Sequence, residues 1–206
     1  MPFVRLTVGK LDTNCYFVFD NQNKGVIIDP GGDAQQILDA VDERQLEIEY
    51  VMLTHAHFDH MLAVDKIQSS IKADLLVPRG DVDALTDGSK SLMFMAGGAR
   101  VSLKADRLLD DGDTVTVGKL SFHVINTPGH TPGSSCYLCG DLLLTGDTLF
   151  AGGFGRTDFA GGDNHAMRRS LIRLSKLKGD YTVLPGHGET TTLENERHNN
   201  PYMRLI

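Results

Sequence analysis

The sequence predicts a domain of mixed α and β structure in which helices cover the faces of β-sheets. Short runs rich in valine, isoleucine, phenylalanine and tyrosine, typical of strands, alternate with segments of helical periodicity. The chain has 206 residues, of which 41% are hydrophobic and 23% are charged. That length and composition are typical of one globular domain, so residues 1–206 are expected to form a single layered domain.

Strands are predicted where apolar and β-branched residues cluster between turn-forming residues. The pair Gly140-Asp141 fits a hairpin turn between two of these strands. The predicted strands are 3–8, 15–19, 25–29, 49–53, 73–77, 114–117, 120–126, 134–138, 141–145 and 181–184.

Helices are predicted where apolar residues recur on one face. The first begins at Asp33, and Gln36 three residues later completes a capping-box arrangement. The second covers about residues 61–70, and the third covers residues 165–178 with Gly179 as its C-terminal cap. One or two further helical turns are expected in the tail.

Residues 78–112 carry no pattern that assigns them to an element. Met93-Phe94-Met95 lies within them, before the pair Gly97-Gly98. These apolar residues fit either core positions or an apolar lid formed by residues 92–98, and both interpretations stay open.

The charge balance and the cysteine content disfavour several classes of protein. With 20 basic and 27 acidic residues, the net charge of −7 gives no general attraction to phosphate backbones, so no nucleic-acid partner is expected. No segment approaches the run of about 18 apolar residues that a membrane span needs, and the N-terminus lacks the pattern of a secretory signal. The three cysteines, an odd number, favour a reducing, cytoplasmic location. Of these, Cys136 and Cys139 fall on a predicted strand and are interpreted as core residues.

The most informative segment is His55-Ala56-His57-Phe58-Asp59-His60, which places three imidazoles and a carboxylate within six residues. Imidazole and carboxylate groups are ligands for zinc, iron and related ions. In an extended segment side chains alternate, so His55, His57 and Asp59 would share one side. His60 would then point elsewhere, and one segment could supply ligands to two neighbouring metal ions.

Three further residues of metal-binding type each follow a predicted strand. They are His130, Asp147 and His187, in loops shaped by glycine or proline. Because loops converge at the ends of strands to build sites, we expect these side chains to join the histidine-rich segment. The combined set predicts a metal site.

In order and context, these residues resemble the metal motif of the metallo-β-lactamase superfamily. Other runs resemble its glyoxalase II-like (hydroxyacylglutathione hydrolase-like) branch. They are Thr13-Asn14-Cys15-Tyr16, residues 127–133 (TPGHTPG), residues 146–150 (GDTLF), residues 155–158 (GRTD), residues 184–188 (LPGHG), Glu196-Arg197 and Asn200-Pro201. The resemblance covers nearly the whole chain and implies a four-layer αββα sandwich with mixed sheets and a binuclear metal site at one edge.

The resemblance also implies how two divalent ions, most readily zinc with iron or manganese as alternatives, are bound. The first ion takes three imidazoles, from His55, His57 and His130. The second takes a carboxylate and two imidazoles, from Asp59, His60 and His187. Asp147 bridges both ions. An aspartate at this bridging position separates the chain from true β-lactamases of the superfamily, which commonly have cysteine in the second site.

The activity that the resemblance implies is hydrolysis of an acyl thioester, with S-D-lactoylglutathione as the type substrate. Two divalent ions, two carboxylates and one hydroxide leave a net charge of about +1, which favours hydroxide as nucleophile and stabilises an oxyanion. Asp59 and Asp147 are the expected catalytic carboxylates, with Asp59 orienting the nucleophile. Longer glyoxalase II enzymes carry a C-terminal helical domain that supplies much of the glutathione pocket. Since residues 188–206 are all that follow His187, we expect the short branch without that domain.

Two charged residues near the predicted site each allow two interpretations. Arg156 matches a basic position that the longer enzymes use to contact the thiol, but Asp158 stands where they place an aromatic residue. It therefore either contacts substrate or pairs with an acidic neighbour. Asp29, at the end of a predicted strand, either supports a metal ligand or caps the turn that follows.

Three other functions remain as alternatives. A persulfide dioxygenase of this fold would act on glutathione persulfide with a single iron, held by His55, His130 and Asp147. The acidic charge balance disfavours a metal-dependent nuclease, and seven intact ligands disfavour a non-catalytic interaction domain. The sequence does not set the acyl group, the thiol carrier, the native metal or the oligomeric state.

Overall fold

The computed structural model describes residues 1–97 and 102–204. The strands are β1 (Phe3–Val8), β2 (Thr13–Phe19), β3 (Lys24–Ile28), β4 (Glu47–Met52), β5 (Asp74–Pro78), β6 (Arg107–Leu109), β7 (Thr114–Val117), β8 (Leu120–Asn126), β9 (Ser135–Cys139), β10 (Leu142–Gly146), β11 (Thr182–Pro185) and β12 (Thr191–Thr192). The helices are α1 (Ala34–Glu43), α2 (Phe58–Met61), α3 (Val64–Ser70), α4 (Asn164–Ser175), α5 (Leu193–Asn199) and α6 (Pro201–Arg204), with 3-10 helices at Arg79–Leu85 and Met93–Ala96. No helix in the described ranges is both long and apolar enough to cross a membrane.

The strands form two mixed sheets of six strands each. The first has the order β1-β2-β3-β4-β5-β6, antiparallel from β1 to β3 and parallel from β3 to β6. The second has the order β12-β11-β10-β9-β8-β7, in which β10 and β11 are parallel and the other neighbours antiparallel. The predicted hairpin turn at Gly140-Asp141 joins β9 to β10 and is confirmed by the pairing of Cys139 with Leu142.

Buried apolar side chains lie in three layers, which confirms the αββα sandwich. Ile27 and Ile28 are consecutive in β3, yet Ile27 packs with Ile37 of α1 while Ile28 packs between the two sheets. On the outer face of the second sheet, Leu143 of β10 packs with Leu171 of α4. Both sheets are therefore buried on both faces, with helices outside.

All ten predicted strands are present, with bounds shifted by no more than two residues. Two strands in the described ranges have no counterpart in the prediction, β6 and β12. Each is two or three residues long, too short to show the alternation that marks a strand in sequence.

Predictions at three helix ends are wrong: the capping box at Asp33, the start at residue 61 of the helix that begins at Val64, and the end at residue 178. Asp33 does cap α1 by position, but it has a φ of 48° and its carboxylate accepts a hydrogen bond from the Gly9 backbone N–H (2.8 Å) instead of capping the helix. The helix predicted over residues 165–178 is α4, which ends at Ser175, three residues before the expected end. Lys176 is its C-terminal cap, so Gly179 lies beyond the helix.

The expectation of an extended histidine-rich segment is wrong in its second half. The chain is extended at His57, but α2 begins at Phe58, so Asp59 and His60 lie on a helical turn. Asp59 consequently leaves the side shared by His55 and His57, and it groups with His60 instead. The segment still supplies side chains to two groups. The start of α2, rather than strand alternation, separates Asp59 from His55 and His57.

The interpretation of Cys136 and Cys139 as core residues is confirmed. Both are buried on β9, but Cys136 faces α4 while Cys139 faces the layer between the sheets. Opposite faces of one strand keep these thiols from sharing a disulfide or a metal ion.

Candidate metal centre

The structure brings all seven side chains that the sequence selects into one cluster. They come from the segment after β4 and from the loops that follow β8, β10 and β11. Within each of three trios, one potential ligand atom per residue lies within 4.8 Å of the others. The trios are His55, His57 and His130; His55, His60 and Asp147; and Asp59, His60 and His187.

Two of these trios share no residue, and we call them the first and the second trio. The first trio, His55, His57 and His130, is a buried group of imidazoles. The ring centroid of His55 lies 4.8 Å from those of the other two rings. His57 Nδ1 lies 2.8 Å from His130 Nε2. Two imidazole nitrogens at that distance either share a proton or face one cation.

The second trio, defined as Asp59, His60 and His187, combines a carboxylate with two imidazoles. Asp59 Oδ2 lies 3.3 Å from His187 Nε2 and 3.6 Å from His60 Nε2. The His187 side chain is 27% exposed, so this trio opens to solvent where the first does not.

Asp147 lies between the two trios. Its Oδ2 is 3.4 Å from His130 Nε2 and 3.6 Å from His187 Nε2, while its Oδ1 is 3.5 Å from His60 Nε2. One carboxylate thus contacts imidazoles of both groups, which is the position expected for a bridging ligand.

Hydrogen bonds on the far sides of the rings orient two of the histidines. His130 Nδ1 donates to the Arg156 carbonyl (2.6 Å), and His187 Nδ1 donates to the Leu11 carbonyl (3.1 Å). Since a carbonyl oxygen only accepts, Nδ1 carries the proton in both rings and the lone pair of Nε2 faces the cluster. Metal-binding histidines in proteins are commonly oriented in this way.

The cluster also leaves buried polar atoms unsatisfied. His55 Nε2, His57 Nε2, His60 Nε2 and Asp147 Oδ1 have no hydrogen-bond partner among residues 1–97 and 102–204. Orphaned polar atoms in a protein interior are costly. Because imidazole and carboxylate donors suit zinc, iron and manganese, these residues fit a pair of divalent ions.

The two trios differ in their affinity for protons. Burial lowers the pKa of His57 to about 3 and holds that of His55 well below its usual value, with neighbouring imidazoles adding to both effects. Burial also opposes protonation of His60, but the negative charges of Asp59, Asp147 and Asp29 outweigh it and raise that pKa to about 10. The carboxylates around the second trio therefore stabilise positive charge there, which metal ions would supply.

Asp29, which follows β3, supports two of the histidines. It accepts hydrogen bonds from the backbone N–H and the Oγ1 of Thr54, both at 2.7 Å, and Thr54 Oγ1 lies 3.1 Å from His55 Nδ1. Asp29 Oδ2 lies 3.0 Å from His60 Nδ1. Of the two interpretations of Asp29, the structure favours support of the site.

Asp81 ties the two loops of the first trio together, and the sequence analysis misses it. Its carboxylate accepts hydrogen bonds from the Ala56 N–H (2.9 Å), Thr131 Oγ1 (2.8 Å) and the Gly133 N–H (2.7 Å). Burial raises its pKa. It lies in the unassigned stretch, and only its tertiary contacts distinguish it from the surface aspartates.

The Thr13-Asn14-Cys15-Tyr16 run holds the loop that carries His187. The Asn14 side chain donates to the carbonyls of Pro185 and Gly188, and Tyr16 OH donates to that of Pro185. At the start of the run, Thr13 Oγ1 donates to Asp59 Oδ2 (3.3 Å). This run therefore connects the two sheets beside the second trio.

Two glycines are needed because other atoms approach their backbones closely. A Cβ on Gly186 would lie 2.3 Å from Asp147 Oδ1, and one on Gly31 would lie 1.6 Å from the Asp59 carbonyl oxygen. Any side chain at either position would displace a member of the cluster.

A cavity of about 440 Å³ opens above the cluster. Asp59, Asp147, His57, His130 and His187 form its floor. The volume lies within the range of small-molecule sites, so the cluster is accessible to a substrate of modest size.

Arg156 lines this cavity and also pairs with its acidic neighbour. Its guanidinium makes a bidentate ion pair with Asp158, with two contacts of 2.7 Å, and stacks 3.8 Å above the ring of Phe159. The structure therefore confirms the pairing with an acidic neighbour, while contact with a substrate stays a prediction.

The apolar run at residues 93–95 divides between the core and the cavity. Met93 is buried in the core, Met95 lines the cavity, and Phe94 is exposed outside it. Gly98, the last residue of the proposed lid, lies outside the described residues, and lid movement stays a prediction.

Comparison with known proteins identifies the family. A family model described as the metallo-beta-lactamase superfamily matches residues 8–187. The chain belongs to this superfamily. Membership confirms the predicted resemblance and the predicted metal-dependent hydrolase, and members typically depend on two metal ions.

Similar proteins span the whole chain. The probable metallo-hydrolase YqgX of Bacillus subtilis is 34% identical over 98% of both chains, and the hydroxyacylglutathione hydrolase GloC of Haemophilus influenzae is 29% identical over 96% of both. The crystal structure of the B3 metallo-β-lactamase BLEG-1 superimposes with a TM-score of 0.93 at 33% identity, over 98% of this chain and 99% of that one. The structure of TTHA1623 in a di-iron-bound form superimposes with a TM-score of 0.87 at 33% identity, over 97% and 99%.

Proposed function

We propose that this protein is a thioester hydrolase that uses two divalent ions, with zinc as the expected metal and iron or manganese as alternatives. The observation that carries the proposal is a second trio of side chains, complete and adjacent to the first, with Asp147 in contact with both. If the first trio alone bound an ion, Asp59 and His187 would have no metal ion to coordinate.

In this proposal the trios divide the ligands as the family resemblance implies. His55, His57 and His130 would hold one ion, Asp59, His60 and His187 would hold the other, and Asp147 would contribute to both. When bound, the ions supply Lewis acidity and lower the pKa of a water molecule into the neutral range.

Asp59 is placed to orient the attacking water molecule. It lines the cavity, and its Oδ2 accepts a hydrogen bond from Thr13 Oγ1. Although burial alone would raise its pKa, His60 and His187 hold that pKa well below the usual range, so the carboxylate stays ionised. An ionised carboxylate accepts a hydrogen bond from water that enters the cavity. Addition of that water to the carbonyl carbon and cleavage of the C–S bond release a carboxylic acid and a thiol.

The type substrate is S-D-lactoylglutathione. Support comes from the similarity to the hydroxyacylglutathione hydrolase GloC and from Arg156, which lines the cavity where a thiol carrier would lie. The thiol carrier is expected to be bound by the cavity itself.

The test is turnover of S-D-lactoylglutathione by zinc-loaded protein, with chelator-treated protein and the Asp147→Ala variant as controls. Turnover that both controls abolish supports the proposal and shows that glutathione is recognised. If fully metallated protein turns over neither this thioester nor a thioester of another thiol, the proposal is wrong.

Oxygen chemistry at one iron is a second candidate, because His55, His130 and Asp147 lie together and offer the two imidazoles and one carboxylate that suit iron in oxygenases. Iron is also known in a similar protein, since TTHA1623 has been crystallised in a di-iron-bound form. Its test is metal analysis of protein grown with both zinc and iron. One iron per chain, together with oxygen consumption on glutathione persulfide, would replace the hydrolase by a persulfide dioxygenase.

A further inference from the structure

Apolar side chains form most of the wall of the cavity above the cluster. We define the apolar wall as Leu11, Phe58, Leu92, Met95, Phe150 and Phe159. The polar side chains in the cavity are concentrated at its floor, where the proposed ligands lie. A molecule bound over the cluster would therefore exchange water for hydrocarbon on most sides.

Two members of the wall come from separate loops and are unusually exposed for their type. Leu11, in the turn between β1 and β2, is 46% exposed, and Met95, in the 3-10 helix at Met93–Ala96, is 49% exposed. Each is anchored to the cluster through its loop. The Leu11 carbonyl accepts from His187 Nδ1, and the Phe58 N–H donates to the carbonyl of Ser91, just before Met95's helix. Exposed apolar side chains held at a cavity mouth are typical of a surface that a ligand covers.

Aromatic rings flank the proposed ligands on two sides. Phe159 meets the ring of His57 edge-on at 6.1 Å, and Phe150 meets the ring of His187 at 6.3 Å. A carbonyl group held over the cluster would thus have an aromatic surface beside each trio.

Charged side chains beside the apolar wall offer little to a polar ligand. Among the described residues that line the cavity, Arg156 is the cation outside the cluster, and its guanidinium is already paired with Asp158 and stacked on Phe159. A short, highly polar acyl group would find little on the wall to bind.

We propose that the preferred substrates are thioesters that carry an unbranched apolar group next to the scissile bond. Short hydroxyacyl thioesters, including the type substrate S-D-lactoylglutathione, are then hydrolysed at the same site but less efficiently. The inference rests on the proposed thioester hydrolysis, and it names the substrate class of that site. The apolar group lies on the acyl side or on the thiol side of the bond, and separate experiments distinguish the two.

The first experiment measures kcat/KM with metal-loaded protein in two series. One series varies the acyl group from acetyl through butanoyl and hexanoyl to octanoyl on N-acetylcysteamine. The other keeps the acetyl group and lengthens an alkanethiol. We expect kcat/KM to rise about two- to fourfold per methylene in one series, the factor that burial of a methylene gives. Lactoyl-N-acetylcysteamine should fall below butanoyl-N-acetylcysteamine. A flat response in both series, with hydrolysis intact, overturns the inference and leaves the proposed function standing.

Variants assign the effect to the wall. Met95→Gln and Leu11→Gln should each reduce the ratio of kcat/KM between the longest and shortest substrates by about three- to tenfold. Phe94→Gln is the matched control, because Phe94 neighbours Met95 and is 66% exposed but does not line the cavity. Equal effects at Phe94 and Met95 would contradict the proposal.

A binding measurement keeps the inference separate from catalysis. Calorimetry of metal-loaded protein with acetate, butanoate, hexanoate and octanoate should show affinity that increases with chain length, and Met95→Gln should weaken the increase. If affinity increases but no thioester is hydrolysed, the apolar site stands and the proposed function fails. If affinity is flat and the kinetic series are flat or inactive, the inference is wrong.

Discussion

The two trios that meet at Asp147 differ in charge and in access to solvent. The first consists of three buried imidazoles, and burial lowers the pKa of two of them, His55 and His57. The second contains a carboxylate, lies near two others and includes the partly exposed His187. Both trios contribute side chains to the floor of the cavity, but the first is a neutral group of buried imidazoles, while the second includes a carboxylate and the partly exposed His187. The difference teaches that two metal ions in one cluster would be held by different physics, the first by preorganised lone pairs and the second by charge.

Loss of Asp147 should have the largest effect, because it contacts both trios. Asp147→Ala removes the proposed bridging carboxylate, so kcat/KM should fall at least about a thousandfold. Metal content should fall with it, as measured by elemental analysis of the purified variant. A variant that retained two ions and most of its activity would show that the trios work independently of Asp147.

Loss of His187 should break only the second trio. His187→Ala should reduce bound metal from two ions to one per chain, and kcat/KM should fall about a hundredfold. His123→Ala is the control, since His123 lies on β8 outside the cluster and contacts Thr114 Oγ1. Loss of both ions from His187→Ala, with His123→Ala unaffected, would refute the division into two trios.

Preorganisation of the first trio can be tested at Asp81, which joins the loops of His57 and His130. Asp81→Asn places a donor where the carboxylate accepts, so metal affinity should fall about ten- to a hundredfold. Stability should fall by about 1–3 kcal/mol. Chelator competition measures the first quantity and denaturant unfolding the second.

Asp20 offers a matched control for this prediction. It is as buried as Asp81, at 5% against 4% exposure, and its carboxylate likewise accepts three hydrogen bonds, all of them from backbone N–H groups. It lies at the end of β2 that is far from the cluster, in the turn before β3. Asp20→Asn should lose similar stability and keep its metal affinity. Equal loss of affinity in both variants would mean that Asp81 acts only through general stability.

The smallest effect on stability is expected from the buried cysteines, which lie outside the proposed metal ligands. Their thiols also report whether a site variant is still folded. Burial raises the pKa of Cys136 from an ordinary value of 9.0 to about 11 and raises that of Cys15 further. The unfolded chain therefore loses these protons first, so their contribution to stability is complete below pH 9 and is lost as the pH rises towards 11. Thermal unfolding should shift to lower temperature over that range.

The thiols should also fail to react with a disulfide reagent at pH 8 until the chain unfolds. A site variant whose thiols stay unreactive has lost metal without losing the fold. Rapid reaction of the unmodified protein at pH 8 would contradict the buried positions of Cys15 and Cys136.

The seven side chains of the cluster could be selected from sequence because each carries its signal locally. Histidines spaced in one short segment and single ligands after strands with glycine or proline are visible without knowledge of the fold. The strands were predictable for the same reason. Because each sheet is buried on both faces, its strands need consecutive apolar residues such as Val26-Ile27-Ile28. Residues 78–112 resisted assignment because their 3-10 helices lack a strong period.

Sequence by itself selected the residues of metal-binding type that the structure brings together, and it determined which family the chain resembles. Only the tertiary structure decided how they are grouped, because the helical turn at Asp59 replaces the expected alternation and sends neighbouring side chains to different trios. It alone revealed Asp81 and the apolar wall, whose members are ordinary residues until folding brings them together. The types and spacing of potential ligands are properties of the local sequence. Hydrogen bonds between loops and the shape of a cavity depend on contacts between residues far apart in sequence.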